Sequence, residues 1–209
     1  MRIVTFKDSI YEENAYLIKD KDNVYIIDPG FNYDEIKKYL QENNLSINKI
    51  FLTHGHIDHT GNIKKYLELN SNIEIYISAQ DYSIMFDSEA NASNILLIKD
   101  KHKKIDNIKF LYDNDSIDEF KFHLTPGHTK GSMIIEYKEY LFTGDTLFKD
   151  TIGRTDLPTG SMSDMDHSLK YIMSSFPKKT IILPGHYYKT TLEDEIKNNY
   201  YLRKFLKRN

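Results

Sequence analysis

Thr53-His54-Gly55-His56-Ile57-Asp58-His59-Thr60-Gly61-Asn62 places three imidazoles and one carboxylate within six positions, in the pattern His-x-His-x-Asp-His. No packing role needs that density of imidazole. A metal does, because neutral imidazole is a strong borderline ligand and a nearby carboxylate adds charge and orientation. The cluster follows Lys49–Thr53, a short apolar strand, and precedes Asn62–Leu69, where Ile63, Tyr66 and Leu67 recur at helical spacing.

The same grammar recurs downstream. Thr125-Pro126-Gly127-His128-Thr129, Leu141-Phe142-Thr143-Gly144-Asp145-Thr146 and Leu183-Pro184-Gly185-His186 are each an apolar run, a glycine-bearing turn and a candidate donor. Loops leaving strand ends at one edge of a sheet can aim their side chains at a common point. His54, His56, Asp58, His59, His128, Asp145 and His186 thus form one expected cluster of seven. That is too many donors for one tetrahedral zinc and suits two metals with a bridging carboxylate. His54, His56 and His128 would hold one ion, Asp58, His59 and His186 the other, and Asp145 would bridge. Zinc is the expected metal, and iron and manganese fit the same donors. The remaining histidines are read otherwise: His102 in the charge run Lys99–Lys104, His167 on a polar helix, and His123 on a strand face.

Composition narrows the chemistry. The chain of 209 residues has no cysteine, which excludes disulfides, thiolate metal sites and a cysteine nucleophile. A net charge of −3 gives no reason to expect nucleic acid as a partner. The apolar runs are too short to span a bilayer, and Met1–Asp8 lacks the apolar core of a signal peptide, so the expectation is a cytoplasmic protein with no membrane partner.

Strands are expected at Arg2–Phe6, Asn14–Lys19, Asn23–Asp28, Ile73–Ile77, Ile108–Tyr112, Glu119–Thr125, Ser132–Tyr137, Glu139–Thr143 and Thr180–Leu183. Helices are expected at Tyr33–Asn43, Ala79–Phe86, Asp164–Ser174 and Leu192–Leu206. The last is read as one amphipathic helix packing Ile196, Tyr200, Leu202 and Phe205, with Arg203, Lys204, Lys207 and Arg208 on its wet side. Many strands with interspersed helices and no linker-like break point to a single layered α/β (α+β) domain over residues 1–209.

Asp28-Pro29-Gly30, Thr53–Asn62, Pro126-Gly127-His128-Thr129, Gly144-Asp145-Thr146 and Pro184-Gly185-His186, in that order, resemble the motifs of the metallo-β-lactamase superfamily. The resemblance implies an αβ/βα sandwich of two central mixed sheets with helices on both outer faces and metals at one edge. It also implies the ligand assignment above. Leu147-Phe148 and Ile152-Gly153-Arg154-Thr155-Asp156-Leu157-Pro158 look like the short glyoxalase II-like (hydroxyacylglutathione hydrolase-like) branch. That branch implies an enzyme, a small-molecule thioester substrate such as S-lactoylglutathione, and attack by a metal-bridging hydroxide, with Asp58 as a ligand that also orients or deprotonates the water.

There are departures from that branch. Only 23 residues follow His186, where two-domain relatives carry a helical glutathione-binding domain. Their Lys and Tyr after the bridging aspartate are not evident. Tyr187-Tyr188 stand where Gly-Pro is common, putting Tyr187 on the pocket rim. Arg154 has two readings, a clamp for a substrate carboxylate or a structural partner of Asp156. The competing functions are a one-iron persulfide dioxygenase, a lactonase or other hydrolase on the same centre, and a non-catalytic metal-sensing module.

Overall fold

The computed structural model describes residues 1–98, 105 and 108–206. Period-2 alternation builds the molecule. In strands β1 (Arg2–Lys7), β2 (Asn14–Asp20), β3 (Asn23–Ile27) and β4 (Lys49–Phe51), successive side chains go to opposite faces. Ala15, Leu17, Val24, Ile26 and Ile50 enter one core, whereas Tyr16, Ile18, Tyr25, Ile27 and Phe51 enter another. Both faces of β2, β3 and β4 are largely buried, so these strands carry apolar residues at most positions, whereas the edge strand β1 has no fully buried residue.

With β5 (Glu74–Ser78) and β6 (Ile108–Leu111) they form a six-stranded sheet in sequence order, antiparallel from β1 to β3 and parallel from β3 to β6. The second sheet contains β7 (Ser116–Ile117), β8 (Phe120–Leu124), β9 (Met133–Tyr137), β10 (Tyr140–Gly144), β11 (Ile181–Pro184) and β12 (Thr190–Thr191). It runs in the order β12-β11-β10-β9-β8-β7, with β10 and β11 parallel and the other pairs antiparallel.

Helices α1 (Tyr33–Glu42), α2 (Ile57–Thr60) and α3 (Ile63–Leu69) belong to the first half of the chain. Ile36 and Leu40 of α1 and Ile63 and Tyr66 of α3 bury against the outer face of the first sheet. Helices α4 (Met162–Ser175), α5 (Leu192–Asn198) and α6 (Tyr200–Leu206) put Met165, Leu169, Leu192 and Leu202 on the outer face of the second. Phe51, Phe120, Phe122 and Phe142 fill the space between the sheets. This is the αβ/βα sandwich the motifs implied.

Two expected helices differ. Ala79–Phe86 is a series of turns ending in a 3₁₀ turn, Ile84–Phe86. Its start is diverted when Ser78 Oγ takes the Gln80 N–H and the Ser78 carbonyl takes that of Asp81. Leu192–Leu206 is not one helix but two. Asn199 breaks it in an extended conformation (ψ 121°), and its buried amide donates to Thr151 O at 2.9 Å and Glu195 Oε2 at 2.9 Å. The break turns Ile196, Leu202 and Phe205 toward the sheet but leaves Tyr200 75% exposed, contrary to the expected packing. Lys207 and Arg208, like the whole charge run Lys99–Lys104 with His102, lie outside the described residues. Among the described residues, no helix is long and apolar enough to cross a membrane.

Candidate metal centre

All seven expected donors converge at one edge of the sandwich, each delivered from a strand end. His54 follows β4, His56 caps α2, and Asp58 and His59 lie within that helix. His128 follows β8, Asp145 follows β10 and His186 follows β11. Donor atoms of His54, His56 and His128 lie within 4.8 Å of one another, as do those of Asp58, His59 and His186. Asp145 stands between the two triads. Its Oδ2 is 3.3 Å from His128 Nε2 and 3.5 Å from His186 Nε2, and its Oδ1 is 3.3 Å from His59 Nε2.

Tight backbone makes this convergence possible. Gly144 adopts φ +46°, and a Cβ there would run into the Thr53 side chain. A Cβ on Gly185 would collide with the Asp145 carboxylate. These two positions bring β10 and β11 against the His54 loop.

The donor chemistry fits divalent cations. His54 Nε2, His56 Nε2, His59 Nε2 and Asp145 Oδ1 are buried without a hydrogen-bond partner. Buried polar atoms are rarely left so, and a bound cation would satisfy the Nε2 atoms of His54 and His59 and the Asp145 carboxylate. His56 Nδ1 and His128 Nε2 face each other at 2.9 Å, as two donors to one ion would.

The opposite ring nitrogens are held from behind. His54 Nδ1 meets Thr53 Oγ1 at 3.0 Å, and His59 Nδ1 meets Asp28 Oδ2 at 3.1 Å. His128 Nδ1 meets the Arg154 carbonyl at 2.7 Å, and His186 Nδ1 that of Tyr11 at 3.1 Å. Carbonyl and carboxylate partners on Nδ1 fix the tautomer, leaving Nε2 free to ligate. Asp28, whose φ is +47°, also accepts from Thr53 N at 2.8 Å and Thr53 Oγ1 at 2.6 Å, so it orients two candidate donors at once, His59 directly and His54 through Thr53.

Electrostatics divides the two triads. Burial drives the pKa of His54 well down and that of His56 to about 3, so both are neutral. Burial also opposes charge on His59 and His186, but the carboxylates of Asp145 and Asp58 override it and raise both. Burial would raise Asp58, yet His59 and His186 pull it down to about 2. Asp145 lies well below the usual carboxylate range, because its histidine neighbours outweigh burial.

Three residues invisible as functional in the sequence support the site. Asp81 accepts from Gly55 N at 2.9 Å, Gly131 N at 2.7 Å and Thr129 Oγ1 at 2.6 Å, tying the His54–His56 loop to the His128 loop. Its pKa is raised by burial against those three bonds. It too follows an apolar strand, β5, but without the glycine that flagged the other donors. Glu13 is fully buried beside the site, where burial pushes its carboxyl well above the usual carboxylate range, and it accepts from Asn32 Nδ2 at 2.7 Å. Tyr11 supplies the carbonyl behind His186.

The centre floors a cleft of about 380 Å³. Tyr187 lines it, packed edge-on to Phe148 with ring centroids 5.5 Å apart. Arg154 lines it as well, but its guanidinium is engaged by Asp156 through Nε–Oδ1 at 2.7 Å and Nη2–Oδ2 at 2.8 Å. Of its two expected roles, the structure contains the pairing with Asp156. Among the non-ligand histidines, His167 is exposed, and His123 bonds Glu136 and Tyr171 on the strand face expected for it.

The family model of the metallo-β-lactamase superfamily matches residues 11–186. The chain is 31% identical over 201 residues to a probable metallo-hydrolase, YqgX, of Bacillus subtilis, covering 93% of this chain and 94% of that protein. It is 30% identical to the hydroxyacylglutathione hydrolase GloC of Haemophilus influenzae over 97% of this chain and 98% of that one. Among solved structures, TTHA1623 in a di-iron-bound form superposes with a TM-score of 0.86 at 28% identity, covering 97% of this chain and all of that chain (100%).

Proposed function

The chain belongs to the metallo-β-lactamase superfamily, and from that premise we propose that it is a two-metal hydrolase of thioesters, with S-lactoylglutathione as the reference substrate. The observation that carries the proposal is the pair of donor triads spanned by Asp145 on the floor of one cleft. The hydroxyacylglutathione hydrolase among its relatives supports the thioester class. Divalent ions bound there would supply Lewis acidity and a water acidic enough to act as nucleophile near neutral pH.

The chain's own residues do the rest. Asp58, ionised down to about pH 2, offers a carboxylate oxygen on the cleft wall. That oxygen orients the water and accepts its proton. His54 and His56, neutral because buried, present lone pairs rather than protons. The thioester carbonyl enters between His186 and His128, where Phe148 and Tyr187 exclude bulk water from one side.

The test is metal analysis of purified protein joined to assays on S-lactoylglutathione, a lactone and glutathione persulfide. Two metal ions per chain with thioester turnover and no oxygen uptake are expected. One iron with oxygen uptake overturns the proposal. Full thioesterase activity in Asp58→Ala overturns the role given to Asp58.

A further inference from the structure

Beside the donors the cleft is lined by two apolar stretches of chain, Ile95–Leu96 and the Phe148, Ile152, Leu157 and Tyr187 group, with Thr151 and Arg154 among them. Ile95 is 54% exposed and Tyr187 47% exposed, so the cleft presents apolar side chains to solvent. None of these exposed groups is needed to fill the core. A contiguous apolar surface leading into a site marks a place where something apolar binds.

The Ile95–Leu96 wall is built rather than draped. Asn91 N donates to Asp87 O at 2.8 Å, and Ile95 N and Leu96 N both donate to Ala92 O at 3.0 Å. Ile57 N donates to Asn91 O at 2.9 Å, which fixes the wall to the helix that carries Asp58. Tyr11 OH closes the rim by donating to Leu96 O at 3.3 Å.

Charge is supplied sparingly. Among the described residues that line the cleft, Arg154 is the one permanent cation, and both oxygens of Asp156 occupy its guanidinium. A glutathione moiety, with two carboxylates, finds no unpaired permanent cation among these described lining residues. An aliphatic chain finds six apolar side chains.

We propose that the preferred substrates are thioesters with an apolar, medium-length acyl group, taken up along the Ile95–Leu96 and Phe148–Tyr187 walls, instead of the short hydroxyacyl group of S-lactoylglutathione. This rests on the thioester-hydrolase reading and specifies its substrate class. The reaction is hydrolysis. The water oxygen bonds to the carbonyl carbon, the C–S bond breaks with its electron pair leaving on sulfur, and the thiol and carboxylic acid are released with the water's two hydrogens shared between them and solvent.

The experiment measures kcat/KM of the metal-loaded protein on acetyl, butanoyl, hexanoyl and octanoyl thioesters of N-acetylcysteamine, an uncharged thiol, beside S-lactoylglutathione and S-octanoylglutathione. Transfer of one methylene from water to an apolar wall is worth about 0.8 kcal/mol, so kcat/KM should rise about fourfold per methylene until the walls are filled. Ile95→Ser and Tyr187→Ser should each lower the octanoyl-to-acetyl ratio several-fold. A flat or falling series with S-lactoylglutathione turned over best overturns this proposal and leaves the thioester hydrolase standing. A rise that follows the thiol and not the acyl chain also overturns it. No turnover of any thioester overturns both.

Discussion

Replacing Asp81 by alanine tests whether a residue that touches no substrate holds the centre together. Its carboxylate receives two backbone N–H groups, Gly55 and Gly131, and the Thr129 hydroxyl. Thr129 keeps an alternative partner in Ser132 Oγ at 2.7 Å, so the hydroxyl is not stranded. The two N–H groups are, and each buried orphan costs about 1–3 kcal/mol. The substitution also removes the cost of burying the carboxylate itself, the same burial that raises its pKa. The balance is a loss of about 2–4 kcal/mol. For a chain of 209 residues each kcal/mol is worth about 2–4 °C, so Tm should fall by about 4–16 °C.

The second readout is metal. Asp81 joins the loops that bring His56 and His128 to 2.9 Å, and loss of a group that orients ligands costs about 10–100-fold in metal affinity. Thermal unfolding of the metal-free protein and zinc competition against a chromophoric chelator give the two numbers. Asp81→Asn, which keeps the shape but turns one acceptor into a donor facing an N–H group, should fall between alanine and wild type. A metal-free Tm unchanged within about 1 °C together with wild-type zinc affinity in Asp81→Ala would refute the clamp.

Three further outcomes are expected. Gly185→Ala should lower kcat about 100-fold with the fold intact by circular dichroism, since its Cβ meets Asp145 Oδ1 and displaces the bridge; wild-type kcat would refute that account. His59 and His186 have raised pKa values and carry protons near neutrality without metal, and a metal accepts only neutral imidazole. Calorimetric zinc titration near pH 7 in buffers of different ionisation enthalpy should therefore show proton release, with affinity falling as pH falls; buffer-independent heats would contradict this. Asp156→Asn removes the carboxylate that neutralises Arg154, so KM for glutathione thioesters should drop several-fold while that for N-acetylcysteamine thioesters stays put; equal changes in both would argue against a freed guanidinium.

The donors were legible because each follows an apolar strand and a glycine-bearing turn. Those glycines permit the close approaches at Gly144 and Gly185, so the punctuation in the sequence and the geometry of the site have one cause. Asp81 was not legible, because it leaves its strand through a serine turn that reads as a helix start. Asn199 was hidden for a related reason. A buried asparagine between two helical patterns looks like any polar residue until its amide is seen to bond Thr151 and Glu195. The role of Asp28 was half visible: its turn marked the position, but not that one carboxylate would orient both Thr53 and His59.

The donors also divide by sheet. His54, His56, Asp58 and His59 come from the first half of the sandwich, and His128, Asp145 and His186 from the second. Each donor triad holds members of both halves or is spanned by Asp145. In a chain without cysteine, ions bound there would act as reversible rivets between two lobes far apart in sequence. Chelation would then take away a coordinate-bonded fastening between the halves and leave the join to the Phe51–Phe142 layer and to hydrogen bonds such as those Asp81 receives from Gly55 and Gly131.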